Sequence, residues 1–192
     1  MVAMVQKRYL SAEEFAAIAQ SPEYAEKLIE LVNGEIVEMS KPGGKHGIRA
    51  MSVGAQLHNF VMAHNLGWVT AAETGYILGR SPSGRDTVRG LDVAFVTRER
   101  APDGLPDGLV PFAPDFAAEI ISPGNSAADI HAKVRELLRA GTRLIWLFYP
   151  DTETVVVHTP PSDAQTLERD ALLDGGDVLP GFTLAAKDIF DV

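Results

Sequence analysis

Phe116-Ala117-Ala118-Glu119-Ile120-Ile121 is an apolar run of strand length with one carboxylate inside it. Alternation puts Ala117, Glu119 and Ile121 on one face and Phe116, Ala118 and Ile120 on the other. Both faces are apolar, as expected of a strand buried on two sides. A second run, Leu91-Asp92-Val93-Ala94-Phe95-Val96, has the same character. Its alternation sets Asp92 with Ala94 and Val96, and Leu91 with Val93 and Phe95. A carboxylate in a buried strand is costly unless a metal or a cation compensates it.

Between the two runs, Arg98 to Pro114 is rich in proline, glycine and charge, and reads as a long surface loop. After Ile121, Ser126 and Asp129 form a helix start of the capping-box type. Ile130, Val134, Leu137 and Leu138 make the apolar stripe of that helix, and Gly141 ends it. Lys133 borders the stripe. Arg143 to Tyr149 and Thr154 to His158 read as strands.

Toward the start, Ser11-Ala12-Glu13-Glu14 is a capping box. Leu28 to Val32 and Glu35 to Met39 flank Asn33-Gly34, the strongest short hairpin signal, because both turn positions need positive φ. This register puts Glu30 opposite Val37. His46 to about Asn65 predicts a long helix, and Trp68 to Leu78 a strand with Glu73-Thr74-Gly75 in its middle. Leu179-Pro180-Gly181-Phe182 and Ile189-Phe190 read as a tail packing back on the body. The element order predicts an α/β fold: a mixed central sheet flanked by helices, with an N-terminal hairpin. Residues 1–192 read as a single domain.

Composition narrows the function classes. With 46% hydrophobic and 22% charged residues, the chain has the make-up of an ordinary globular protein. No cysteine is present, which removes disulfides, thiolate zinc sites and cysteine nucleophiles and fits a reducing cytoplasm. Met1 to Arg8 lacks the apolar core of a signal peptide, and no apolar run reaches bilayer length, so no membrane partner is expected. The net charge of −9 disfavours non-specific nucleic-acid binding, although acids gathered around a metal contribute to it. Lys41, Lys45, His46 and Arg49, and Arg80, Arg85 and Arg89, form local basic clusters that read as solvated surface.

Asp92, Glu119 and Lys133 carry the chemistry. Two strand-borne carboxylates and a lysine are the groups that metal-dependent phosphodiester hydrolysis requires. Each has a plainer alternative. Asp92 at a strand start can bond loop amides or an arginine such as Arg89, and Lys133 can snorkel at the core edge. Glu30 is either a third acid or a sheet-edge residue. Gln56 and His46 carry less weight, His46 because a histidine opening a helix is usually a cap or surface residue. Ser122 lacks a nucleophile context, and there is no phosphate-binding glycine loop.

Read together, Glu30-Leu31-Val32-Asn33-Gly34-Glu35-Ile36-Val37, Leu91 to Val96, Ala118-Glu119-Ile120-Ile121-Ser122-Pro123, Lys133 with Arg135, Leu138 and Gly141, and Trp146 resemble a large bacterial family. It is the family of restriction-endonuclease-like proteins once catalogued as a domain of unknown function, within the PD-(D/E)XK nuclease superfamily. The resemblance spans about residues 9 to 190. It implies a divalent metal, Mg²⁺ or Mn²⁺, held between Asp92 and Glu119 with the carbonyl of Ile120. It further implies that the lysine usually found two residues after the acid, where Ile121 stands, has moved to Lys133, and that Glu30 is the N-terminal acid. Leu91 replaces the proline before the aspartate, and Tyr149 replaces an aspartate that often follows the tryptophan strand. The implied reaction is hydrolysis of DNA phosphodiester bonds, with DNA as partner and a homodimer as the assembly that cuts both strands. A non-catalytic nucleic-acid-binding or regulatory module of the same fold, and a small-phosphoester hydrolase, are the alternatives.

Overall fold

A computed structural model describes residues 9–161 and 164–192. The Met1–Arg8 stretch read above for a leader lies outside the described residues. Helix α1 (Ala12–Ala19) is followed by the hairpin β1 (Leu28–Val32) and β2 (Glu35–Met39), then by α2 (Gly44–Ala63), β3 (Gly67–Gly79), β4 (Thr87–Thr97) and β5 (Phe116–Ile120). Helix α3 (Ala127–Ala140), β6 (Leu144–Tyr149), β7 (Thr154–His158), β8 (Gln165–Glu168), β9 (Leu172–Asp174), β10 (Thr183–Ala185) and α4 (Lys187–Phe190) complete the chain. Among the described residues, no helix is long and apolar enough to cross a membrane.

The expected start signals hold. Ser11 and Glu14 form a reciprocal capping box at α1. Ser126 caps α3 by accepting from the Asp129 amide, but its hydroxyl donates to the Asp129 carboxylate, so the return bond goes side chain to side chain. The hairpin turns at Asn33 (φ 50°) and Gly34 (φ 81°). A Cβ on Gly34 would stand 2.7 Å from the Tyr9 Cβ and 2.9 Å from the Gly84 carbonyl oxygen, so the position needs glycine twice over.

The main sheet is mixed. It runs β2-β1-β4-β5-β6-β7-β8, with β3 also on β4; β5 and β6 are parallel and the other pairs antiparallel. Strand β3 pairs with β4 from Thr87 to Thr97 and so occupies one whole edge of it. Strands β1 and β5 therefore share the other edge, β1 at Val88 and β5 from Val93 to Phe95. A gap opens between them along Arg89 to Asp92.

Two apolar layers cover the sheet. One packs Val53, Leu57 and Val61 of α2 with Val93, Phe95, Phe116, Trp146, Phe182 and Ile189. Trp146 lies edge-on to Phe116, centroids 5.0 Å apart, and stacks on Phe182 at 6.0 Å, which ties the C-terminal segment to the sheet as expected. The other layer gathers Val134 and Leu137 of α3 with Tyr76, Ala94, Val96, Ala117, Ile145 and Leu147.

Two sequence expectations need correction. Leu91 packs with Ala94 and Val96, not with Val93 and Phe95. Simple alternation fails at Asp92 because β3 bulges opposite it and the ladder twists there. The segment from Arg98 to Pro114 is not surface throughout. Ala101, Val110 and Ala113 are buried, and Val110 bonds back to Gly75 and Ile77 of β3. A loop of that length keeps its backbone satisfied by borrowing a strand edge.

Candidate active site

Asp92 lies where β4 loses register with both neighbours. On the β3 side, Ala71 pairs with Val93 and Thr74 with Leu91, so two residues, Ala72 and Glu73, oppose one, Asp92. Ala72 and Glu73 both adopt left-handed backbone, at φ 57° and 58°. Such a bulge re-aims the side chains that follow it. On the β5 side, the ladder ends at Val93 and Ala118, and the next pair would be Asp92 and Glu119.

The ladder's loss there is made good by carboxylates. The Gly90 amide donates to Glu30 Oε1 at 3.0 Å, and the Asp92 amide to Glu119 Oε1 at 3.4 Å. The Ile120 amide donates to Asp92 Oδ2 at 2.7 Å. Buried backbone donors must find acceptors, and here each acceptor is an acid of the candidate site.

Lys133 reaches over from α3 and donates to Glu119 Oε2 at 2.6 Å, with Glu30 Oε1 at 3.8 Å. Arg89 bonds Glu30 at 2.8 Å and Glu136 of α3 at 2.7 Å. Glu30, Arg89, Asp92 and Glu119 are all buried. The structure thus brings together all four acid and lysine residues read from sequence, and places Ile120 between them through its amide. Arg89 belongs to this internal network and not to a solvated basic cluster. The rest of that cluster is engaged too, with Arg80 on Glu13 at 2.6 Å and Arg85 over the Tyr9 ring at 4.1 Å.

Two residues of the site carried little or no weight in the sequence reading. His46, in the first turn of α2, places Nε2 2.8 Å from Asp92 Oδ1 and Nδ1 3.1 Å from Ser122 Oγ. Glu73 is delivered by the bulge. One ligand atom each from His46, Glu73 and Asp92 lies within 4.8 Å of the other two. The only local signals were a Gly43-Gly44 break before His46 and the Glu73-Thr74-Gly75 interruption of β3.

The electrostatics are those of a partly buried, acid-rich cluster with few cations. Burial pushes Glu119 up to about 8; the Asp92 and Glu73 charges add to this, while Lys133 opposes it. Burial and the neighbouring Asp92 charge push Glu73 up to about 7. Burial also works against ionised Asp92, but bonds from His46 and the Ile120 amide hold it below the ordinary carboxylate range. The His46 imidazole is raised by its bond to Asp92, against burial. Carboxylates crowded to this degree favour either protons or a cation. With hard carboxylate oxygens and one imidazole, the donor set fits a divalent ion.

Comparison with known proteins bears on the family and the fold. No curated protein matches the chain. A family model described as "Uma2: Putative restriction endonuclease" matches residues 12–187. A solved structure from Anabaena variabilis, described as "a putative nuclease belonging to DUF820", superposes with a TM-score of 0.79 at 25% sequence identity, covering 95% of this chain and 98% of that one. The chain belongs to the Uma2 family of restriction-endonuclease-like proteins, with the mixed sheet and flanking helices of that fold.

Proposed function

We propose that the protein is a divalent-metal-dependent endonuclease that hydrolyses phosphodiester bonds in DNA. The observation that carries this is the convergence of Asp92, Glu119 and Lys133, from β4, β5 and α3, on the gap between β1 and β5. Asp92 and Glu119, with the Ile120 carbonyl, are the residues that would hold Mg²⁺ or Mn²⁺. When bound, the ion supplies Lewis acidity, lowering the pKa of an attacking water and neutralising charge on the phosphate.

The chain's own residues do the rest. Lys133 is kept charged by the Glu119 and Glu30 carboxylates, against the effect of burial. Its ammonium orients the attacking water and stabilises charge developing on the phosphoryl oxygens. Glu30 acts as a positioning residue, since it accepts from Arg89 and the Gly90 amide while facing Lys133. Severing both strands of a duplex calls for two such sites, and hence for a homodimer of this single domain.

The test is a plasmid-nicking assay with Mg²⁺ or Mn²⁺, using wild type, Asp92→Asn and Glu119→Gln. Cutting that needs metal, stops with EDTA and vanishes in both variants is expected. Wild-type rates in either variant, or no cutting with any divalent ion, would refute the proposal. The second outcome would favour a non-catalytic module, a possibility to which the −9 charge lends weight.

A further inference from the structure

His46 and Glu73 are ligand-type side chains that the proposed reaction leaves without a role, and they meet at its central acid. Glu119, the other proposed ligand, lies on the Lys133 side of Asp92, with one oxygen on Lys133 and the other on the Asp92 amide. Three features of the fold build the His46–Glu73–Asp92 group. The bulge sets two β3 residues against Asp92 and so delivers Glu73. Gly90 leaves room for the Glu73 carboxylate, because a Cβ there would stand 2.7 Å from its Oε2 and 3.3 Å from its backbone oxygen. Ser122 ties His46 Nδ1 at 3.1 Å, which directs Nε2 at the carboxylates. A partner on the far ring nitrogen is how ligating histidines are oriented.

We infer that His46 and Glu73 join Asp92 and Glu119 as ligands of the divalent cation, and that this mixed nitrogen–oxygen set selects a transition ion of the Mn²⁺ class over Mg²⁺. The inference rests on the nuclease proposal and specifies its ion. Imidazole nitrogen suits first-row transition ions, whereas Mg²⁺ prefers an all-oxygen shell with several waters. The cation would take the place now filled by the hydrogen bond between His46 Nε2 and Asp92 Oδ1.

Calorimetric titration of the full chain with Mn²⁺ and, separately, Mg²⁺ tests this in wild type, His46→Gln, Glu73→Gln and Asp92→Asn. Electron spin echo modulation on the Mn²⁺-loaded wild type adds a direct readout of bound nitrogen. Expected are tighter binding of Mn²⁺ than Mg²⁺, an imidazole nitrogen signal, and loss of that signal in His46→Gln. That variant should bind Mn²⁺ at least about tenfold more weakly, with a smaller change for Mg²⁺. Glu73→Gln should weaken both ions. If His46→Gln binds Mn²⁺ as wild type does, or the wild type shows no nitrogen coupling, the inference is overturned. Metal-dependent nicking lost in Asp92→Asn would in that case leave the nuclease proposal standing. Absence of metal binding in the wild type overturns both. Should His46→Gln not fold, the wild-type nitrogen signal decides alone.

Discussion

Glu119 is pulled in two directions. Burial lifts its proton affinity to about 8, and Lys133 at 2.6 Å draws it down. Glu73 is lifted to about 7, well above the ordinary carboxylate range. A carboxyl that holds its proton more tightly when folded stabilises the fold at low pH, and that contribution disappears as pH rises from the unfolded value through the folded one. EDTA-treated protein is therefore expected to melt at lower temperature at pH 8.5 than at pH 6, with Mn²⁺ narrowing the gap by compensating the charge. Differential scanning calorimetry at the two pH values checks this; a flat or opposite trend in EDTA contradicts it. Lys133→Met should slow cleavage by about 100-fold or more. It should also cost up to about 3 kcal/mol at pH 8.5, where Glu119 loses the cation that favours its charged form, and less at pH 6, where Glu119 already holds a proton. Chemical denaturation at both pH values measures the difference. Asp92, Glu119 and Lys133 are legible from sequence because a charge inside an apolar run, or at the edge of an apolar stripe, has few plain explanations. His46 and Glu73 are not. One opens a helix and the other sits among threonine and glycine, and they meet only through pairings 19 and 46 residues away from Asp92.

At the level of elements, the bulge in β3 is the part of the architecture that most directly shapes the site. Ala72 is exposed and packs against little, so its left-handed backbone can be tested without disturbing a core. Ala72→Gly is expected to leave stability unchanged or raise it by up to about 1 kcal/mol. Ala72→Val should lower it by about 1–2 kcal/mol, since a β-branched side chain resists positive φ. Urea unfolding of the two variants decides; equal stabilities would mean that the kink is absent in solution. Such a bulge leaves a weak trace in sequence, because what distinguishes it is a mismatch of register between two strands, not composition. The apolar strands β4, β5 and β6 and the capped helices α1 and α3 show clearly in the sequence. The short strands β8, β9 and β10 do not, since three or four residues are too few to set a period of two.

For the whole molecule, the question is how a chain of net charge −9 approaches a polyanion. Of the basic residues near the site, Arg89 is sealed in internal pairs, while Lys41 and Lys45 stand exposed just before and at the start of α2, close in sequence to His46. They are the groups available to meet phosphates there. Lys41→Glu combined with Lys45→Glu is expected to weaken DNA affinity and to reduce the salt dependence of binding by about two ions' worth of slope. Mn²⁺ affinity should stay unchanged. Fluorescence anisotropy over a salt series, with catalytically silent Glu119→Gln protein as background, provides the check. An unchanged slope would assign the approach to another face.

The gap between β1 and β5 has one more consequence. The amides of Gly90, Asp92 and Ile120 are sheltered by carboxylates and not by a neighbouring strand. Their hydrogen exchange is thus tied to the ionisation and occupancy of the site, whereas the amides of Ala94 and Phe95 a few residues along follow the opening of the sheet. Three protons of the main chain become built-in gauges. In a deuterium-exchange experiment they would register whatever binds to or leaves the site, with no substrate and no label attached to the protein.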